Sequence, residues 1–243
     1  MQSITFKEHL TTYEVNEEMK LLRTNVQFCG ADKKLILVMS AVAGEGKSTV
    51  SLDLTHSLAE LGKNVLLLDC DLRKSNLRKK VVGSKTAYLG LSHYLSGQAE
   101  IDDILCQTAT EGVFCIMAGR YPPNPAELLA GDRMRALLTW ARGRFDYVIL
   151  DCAPLNLVSD LLVVAPQCDG AILVVRANGV PRYEDQNVVR QMERSGCPIL
   201  GVVLNRAKVD FRGRYYRKYG YYYGGYGSYG KKKSGKSTPT DDR

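Results

Sequence analysis

The stretch Ala41-Val42-Ala43-Gly44-Glu45-Gly46-Lys47-Ser48-Thr49 holds the residue types that grip a chain of phosphates. Glycines at 44 and 46 let backbone amides turn inward as an anion nest, and a helix starting near Ser48 adds the positive end of its dipole. Lys47 has the reach for β- and γ-phosphates, and the Ser48 hydroxyl is a ligand for magnesium. The general pattern has glycine where this chain has Ala41, so the loop is a relaxed copy. Residues Ala43, Gly44, Glu45, Gly46, Lys47, Ser48 and Thr49 are the expected cradle for a nucleoside triphosphate.

Three carboxylates join it. Val65-Leu66-Leu67-Leu68-Asp69-Cys70-Asp71-Leu72-Arg73 puts two acids just past an apolar run, and Val148-Ile149-Leu150-Asp151 puts a third at the end of another. In a parallel sheet the carboxyl ends of the strands share one edge, which is where α/β sheets bind ligands. Asp69, Asp71 and Asp151 are therefore expected to converge on the glycine loop, although any one of them would also suit a helix N-cap.

Positioning these groups takes strands and helices in alternation. Short aliphatic runs without period-2 alternation read as strands buried on both faces: 35–39, 64–69, 113–117, 147–151, 171–175 and 199–204. Helical patterns fall between them, at 14–28, 48–61, 89–96, 101–106, 160–165 and 183–194. One more starts at Asn124-Pro125-Ala126-Glu127, with Asn as cap, Pro at the first position and Glu three past the cap; it should run to about Arg142. This is an α/β fold, a P-loop NTPase-like, mostly parallel sheet with helices on both faces, in a single domain at 1–206.

The remainder, 207–243, differs in composition. From Arg206 onward eleven Lys and Arg face three Asp, a net charge of +8, leaving −1 for residues 1–205 out of the overall +7. A body near neutrality has no electrostatic case for nucleic acid. The tail reads RYYRKYGYYYGGYGSYG from Arg214 to Gly230, with tyrosines at 215, 216, 219, 221, 222, 223, 226 and 229. Without an aliphatic residue it cannot offset its ordering entropy, so a disordered tail is expected. A linker, an RNA-binding segment and a phosphate acceptor all suit that composition. Lys231-Lys232-Lys233 suits an anionic membrane surface or a solvated charge run.

No apolar run approaches the roughly 20 residues of a membrane span, and Met1–Leu10 lacks the apolar stretch of a signal peptide. A cytoplasmic location is expected. The seven cysteines are scattered and contain no Cys-x-x-Cys, which reads as reduced thiols rather than a disulfide framework or zinc site.

AVAGEGKST, VLLLDCDLR and VILD together resemble the bacterial tyrosine kinases of capsule and exopolysaccharide synthesis. Glu17-x-x-Lys20-x-x-Arg23, Gly90-Leu-Ser, Asn124-Pro-Ala-Glu-Leu-Leu and Gly201-Val-Val-Leu-Asn205 extend the likeness from about Glu14 to the tail. The resemblance implies ATP and Mg2+, with Lys47, Asp69, Asp71 and Asp151 in catalysis, Asp69 as the candidate base for the tyrosine proton, and Ser48, Asp71 and Asp151 holding the metal. It implies that Asn205 touches the adenine. It also implies that Glu17, Lys20 and Arg23 join subunits into a ring homo-oligomer. Tyr215, Tyr216, Tyr219, Tyr221, Tyr222, Tyr223, Tyr226 and Tyr229 become phosphorylation sites, modified between subunits. A transmembrane polysaccharide co-polymerase would activate the kinase and hold it at the membrane periphery, a protein-tyrosine phosphatase would reverse it, and no nucleic acid is involved. Lys20 stands where the family has Arg, and Ala43 where it often has Pro. A partition-type ATPase of the septum- and chromosome-positioning kind is the rival reading. Its signature lysine early in the loop is replaced here by Val42. A nucleotide-sensing scaffold without phosphoryl transfer is a second rival.

Overall fold

Uninterrupted aliphatic strands need cover on both faces, and in the computed structural model alternate residues of each central strand enter two different cores. Leu35, Leu37, Met39, Leu66, Leu68, Val148 and Leu150 belong to one; Ile36, Val38, Val65, Leu67 and Ile149 belong to the other. Each side chain fully buried in this way contributes about 1.5–3 kcal/mol. The structure describes residues 2–7, 12–82 and 89–207. It divides into Met1–Arg206 and Ala207–Arg243; beyond Ala207 the second unit lies outside the described residues.

In chain order the elements are β1 (Gln2–Ile4), α1 (Tyr13–Phe28), β2 (Leu35–Met39), α2 (Lys47–Ala59), β3 (Val65–Asp69), α3 (Leu91–Leu95), α4 (Ile101–Ile104), β4 (Leu105–Thr108), β5 (Val113–Ile116), α5 (Pro125–Ala130), α6 (Asp132–Arg144), β6 (Tyr147–Asp151), α7 (Asp160–Val164), β7 (Gly170–Arg176), α8 (Arg182–Ser195) and β8 (Ile199–Asn205). A 3-10 turn at Leu77–Lys80 follows β3. The eight strands form one sheet in the order β1-β4-β5-β3-β6-β2-β7-β8. Its pairs are parallel except β4 with β5. The glycine loop leaves β2, third from one edge of the sheet, between strands that end in Asp151 and in Arg176.

Three local expectations fail for physical reasons. The helical reading of 101–106 stops at Ile104, because Leu105–Thr108 is drawn into the sheet with Cys106 opposite Cys115; six residues are too few for periodicity to separate the two states. The helix after Pro125 is interrupted at Gly131, which is extended at φ −73°, ψ 166°, and a second helix starts at Asp132. Asn124 does not cap its helix with its side chain. Its Nδ2 instead donates to Glu127 Oε2 at 2.8 Å, while Leu128 N donates to the Asn124 carbonyl. Strand β1 is three residues, one of them apolar, and carried no readable pattern. All seven cysteines are free, and no helix among the described residues is long and apolar enough to cross a membrane.

Candidate functional site

The loop between β2 and α2 is held open by its own side chains. Gly44 and Gly46 take φ +88° and +99°, a region that side chains disfavour. Glu45 turns inward and is buried, its Oε2 accepting from Val42 N at 3.2 Å and its Oε1 from Arg176 N at 3.4 Å. Asn205, at the end of β8, donates from Nδ2 to the Glu45 carbonyl at 2.8 Å. The loop is thereby tied to the ends of β7 and β8. It leads into α2, whose amide-rich start carries Lys47, Ser48 and Thr49.

Register brings the acids together. Asp69 and Asp151 are aligned across the β3–β6 pair, and Asp71 follows two residues later. The Lys47 ammonium lies 3.4 Å from Asp151 Oδ1, 3.7 Å from Asp71 Oδ2 and 3.3 Å from Ser48 Oγ. Burial works to lower the Lys47 pKa, but the fields of Asp151, Asp71 and Asp69 outweigh it and the net shift is upward. Asp151 is raised by its own burial against the opposing pull of Lys47. Asp69 is pushed up to about 8, by burial first and then by the charge of Asp151. Its Oδ2 accepts from Ser75 Oγ and its Oδ1 from Asp71 N.

A pocket of about 280 Å³ opens beside this cluster, lined by Ala43, Gly44, Gly46, Lys47, Ser48 and Thr49 on the loop side. Asp71 lines it; Asp69 and Asp151 lie behind the wall, both wholly buried. Asp69, expected to meet the incoming hydroxyl, is wholly buried and hydrogen-bonded by Ser75, and Asp71 is the carboxylate that lines the pocket. Asn205 is engaged with the loop backbone.

Two contacts at the site were not read from the sequence motifs. Ser51, one helical turn after Lys47, brings its hydroxyl within 2.9 Å of the Lys47 carbonyl and 3.4 Å of Asp151 Oδ1; the i, i+4 spacing could have revealed it. Arg73 grips the buried Asp160 with both arms, at 2.6 and 3.0 Å. That pairing across 87 residues is legible only in three dimensions.

Of the helix α1 residues, Glu17 and Lys20 pair with each other at 2.7 Å on an exposed face. Arg23 turns inward, donating to the Ser57 carbonyl at 2.6 Å and Glu60 Oε2 at 3.1 Å on α2. The three do not present one common exposed surface. The eight tail tyrosines, Tyr215 to Tyr229, lie outside the described residues.

The donor set fits magnesium. Asp151 Oδ2 is buried without a hydrogen-bond partner, and a cation, the Lys47 ammonium, already sits among the hydroxyl and carboxylate oxygens. No three His, Cys, Asp or Glu among the described residues form a metal cage by themselves. Magnesium, which retains waters and takes substrate phosphates as ligands, does not require one.

A mostly parallel sheet with a glycine loop after β2 and buried acids at the ends of the two strands to one side of it, β6 and β3, defines a P-loop protein. Residues 33–176 match the family model described as an AAA domain. The tyrosine-protein kinase CpsD of Streptococcus agalactiae is 36% identical over 219 residues, covering 90% of this chain and 91% of that one. The kinase domain of the Escherichia coli tyrosine kinase ETK superposes with a TM-score of 0.72 at 29% identity, over 86% of this chain and 92% of that one. The cell division ATPase MinD of Pyrococcus furiosus is more distant, at a TM-score of 0.61 and 26% identity over 72% of this chain and 73% of that one. The chain belongs to the family of bacterial tyrosine-protein kinases linked to capsule synthesis.

Proposed function

We propose that the chain transfers the γ-phosphoryl group of ATP to tyrosines of its own tail, between subunits, and thereby regulates capsular or exopolysaccharide synthesis and export. The observation that carries this reading is the convergence of Ser48, Asp71 and Asp151 on the Lys47 ammonium, each within 3.7 Å of it, with Lys47, Ser48 and Asp71 lining the loop pocket. The amide nest and Lys47 hold and neutralise the triphosphate. Ser48, Asp71 and Asp151 would hold magnesium, which when bound supplies further neutralisation of phosphate charge. The tyrosine oxygen attacks the γ-phosphorus, and the bond from that phosphorus to the β–γ bridging oxygen breaks. The phenolic proton goes to a carboxylate of the trio; its position on the pocket surface favours Asp71, with Asp69 holding the Asp71 backbone through Oδ1. A phenol of pKa near 10 needs such an acceptor.

Each phosphotyrosine adds about −1.5 to −2 charges, so eight add about −12 to −16 and reverse the +7 of residues 207–243. A flexible chain of this length spans on the order of 35 Å, against a body radius of about 20 Å, which puts a neighbouring active site within reach. Work at the inner membrane face beside a transmembrane co-polymerase, with a protein-tyrosine phosphatase in opposition, is consistent with this role. Incubating the purified chain with Mg-ATP, with and without the membrane partner's cytosolic segment, tests the proposal. Phosphotyrosine on the tail supports it; release of free phosphate alone would indicate a partition-type ATPase instead.

A further inference from the structure

The segment that follows β3 reads Arg73-Lys74-Ser75-Asn76-Leu77-Arg78-Lys79-Lys80, five cations and no acid in eight residues, on a body whose net charge is −1. It is a fixed wall. Leu77 is wholly buried, Lys74 N donates to Asp71 Oδ1 at 2.9 Å, and Lys7 N donates to the Lys80 carbonyl. Arg73, Lys74, Asn76 and Lys80 line the same pocket as the phosphate loop, joined by Arg206. Lys47 and Arg73 are paired with acids. Among the described residues, no carboxylate lies within ion-pair distance of Lys74, Lys80 or Arg206. The triphosphate has its own partners in the amide nest and Lys47, so this wall holds cationic capacity for a second anion.

The acceptor tail does not supply that anion at first, because residues 207–243 carry ten Lys and Arg against three Asp, a charge of +7, and share the wall's sign. One transfer changes this: a phosphotyrosine brings three acceptor oxygens and about −1.5 to −2 charges, which lysine ammoniums bind through charge-assisted hydrogen bonds. We propose that Lys74 and Lys80 form a subsite for a phosphotyrosine already made, so that a tail once modified is held and modified again before a fresh tail enters. This rests on the reading of the tail as acceptor.

The test follows dephosphorylated full-length chain through a time course with limiting Mg-ATP, reading phosphates per chain by intact mass. The wild type should show two populations, unmodified chains and chains carrying several phosphates. In Lys74→Ala/Lys80→Ala the phosphates should scatter randomly around the mean, and Lys74→Arg/Lys80→Arg should restore the two populations. In the same variants, the preference in kcat/KM for a singly phosphorylated 214–230 peptide over the unmodified one should fall from about tenfold, the scale of one charge-assisted contact, to near unity. Random scatter in the wild type, or two populations and an intact preference in the alanine variant, would overturn the subsite. So would lysine variants that change only binding to phosphatidylserine vesicles. If no tyrosine is modified in any variant, the acceptor reading itself falls, and the subsite with it.

Discussion

Asp69 and Asp151 stand side by side on neighbouring parallel strands, both wholly buried, with the Lys47 ammonium reaching only the second of them at hydrogen-bond range. Two acids in one dry site with one close cation cannot both ionise cheaply. Asp69 yields: it is pushed up to about 8, whereas its ordinary value is 3.8.

That shift makes stability depend on pH. The folded chain holds a proton on Asp69 that the unfolded chain releases above about pH 4, so this contribution is full below that pH and is lost as the pH rises through about 8. Nucleotide-free wild type should lose thermal stability between pH 6 and 9. Asp69→Asn should flatten that decline by on the order of 5 °C. Equal slopes in calorimetry of the two proteins would refute the assignment.

Lys47→Ala should lower tyrosine phosphorylation at least about a hundredfold, the usual loss for a fixed charge partner of the transferred group. It should also destabilise the nucleotide-free chain, because Asp151 and Asp71 lose their buried countercharge. Added magnesium should recover part of that stability in a melting experiment if the same oxygens accept the metal. No recovery would place the metal elsewhere.

Gly46 takes φ +99°, and a Cβ there would lie 2.0 Å from Asn205 Nδ2. Gly46→Ala should therefore abolish nucleotide binding measured by calorimetric titration. Removing the obstruction in Gly46→Ala/Asn205→Ala should not restore it fully, since the backbone strain and the lost Asn205 contact to the Glu45 carbonyl both remain. Full recovery in the double variant would show that steric collision alone was at issue.

Arg23 and its neighbours on α1 should separate experimentally. Arg23 is half-sequestered against α2, so Arg23→Ala should cost about 1–2 kcal/mol of stability through the lost Ser57 carbonyl contact. The exposed Glu17–Lys20 pair should contribute almost nothing to monomer stability. If that face joins subunits, Glu17→Ala/Lys20→Ala should lower the mass seen by light scattering without moving the melting temperature.

Much of this site was legible along the chain. The cradle 43–49 and the acids at 69, 71 and 151 announce themselves because phosphate binding needs local backbone shape and because a buried strand that ends in Asp is unusual. Strands β2 and β6 match their expected spans residue for residue, since an uninterrupted apolar run bounded by polar residues, Leu35–Met39 in one and Val148–Leu150 in the other, admits few alternatives. Where the local pattern was short, as at 101–106, or where one glycine could be absorbed or not, as at Gly131, it failed.

The amino-acid order by itself determined the class of fold, the glycine loop between a strand and a helix, and the acids at and just past the strand ends, because each depends on residue type within a few neighbours. Tertiary structure decided which of those acids reaches the pocket. Parallel register aligned Asp69 with Asp151, both wholly buried, while Asp71 lines the pocket. Chain segments 87 and 160 residues apart were brought together to pair Arg73 with Asp160 and Asn205 with the loop. Burial and field strength are properties of the assembled neighbourhood, which no local spacing encodes.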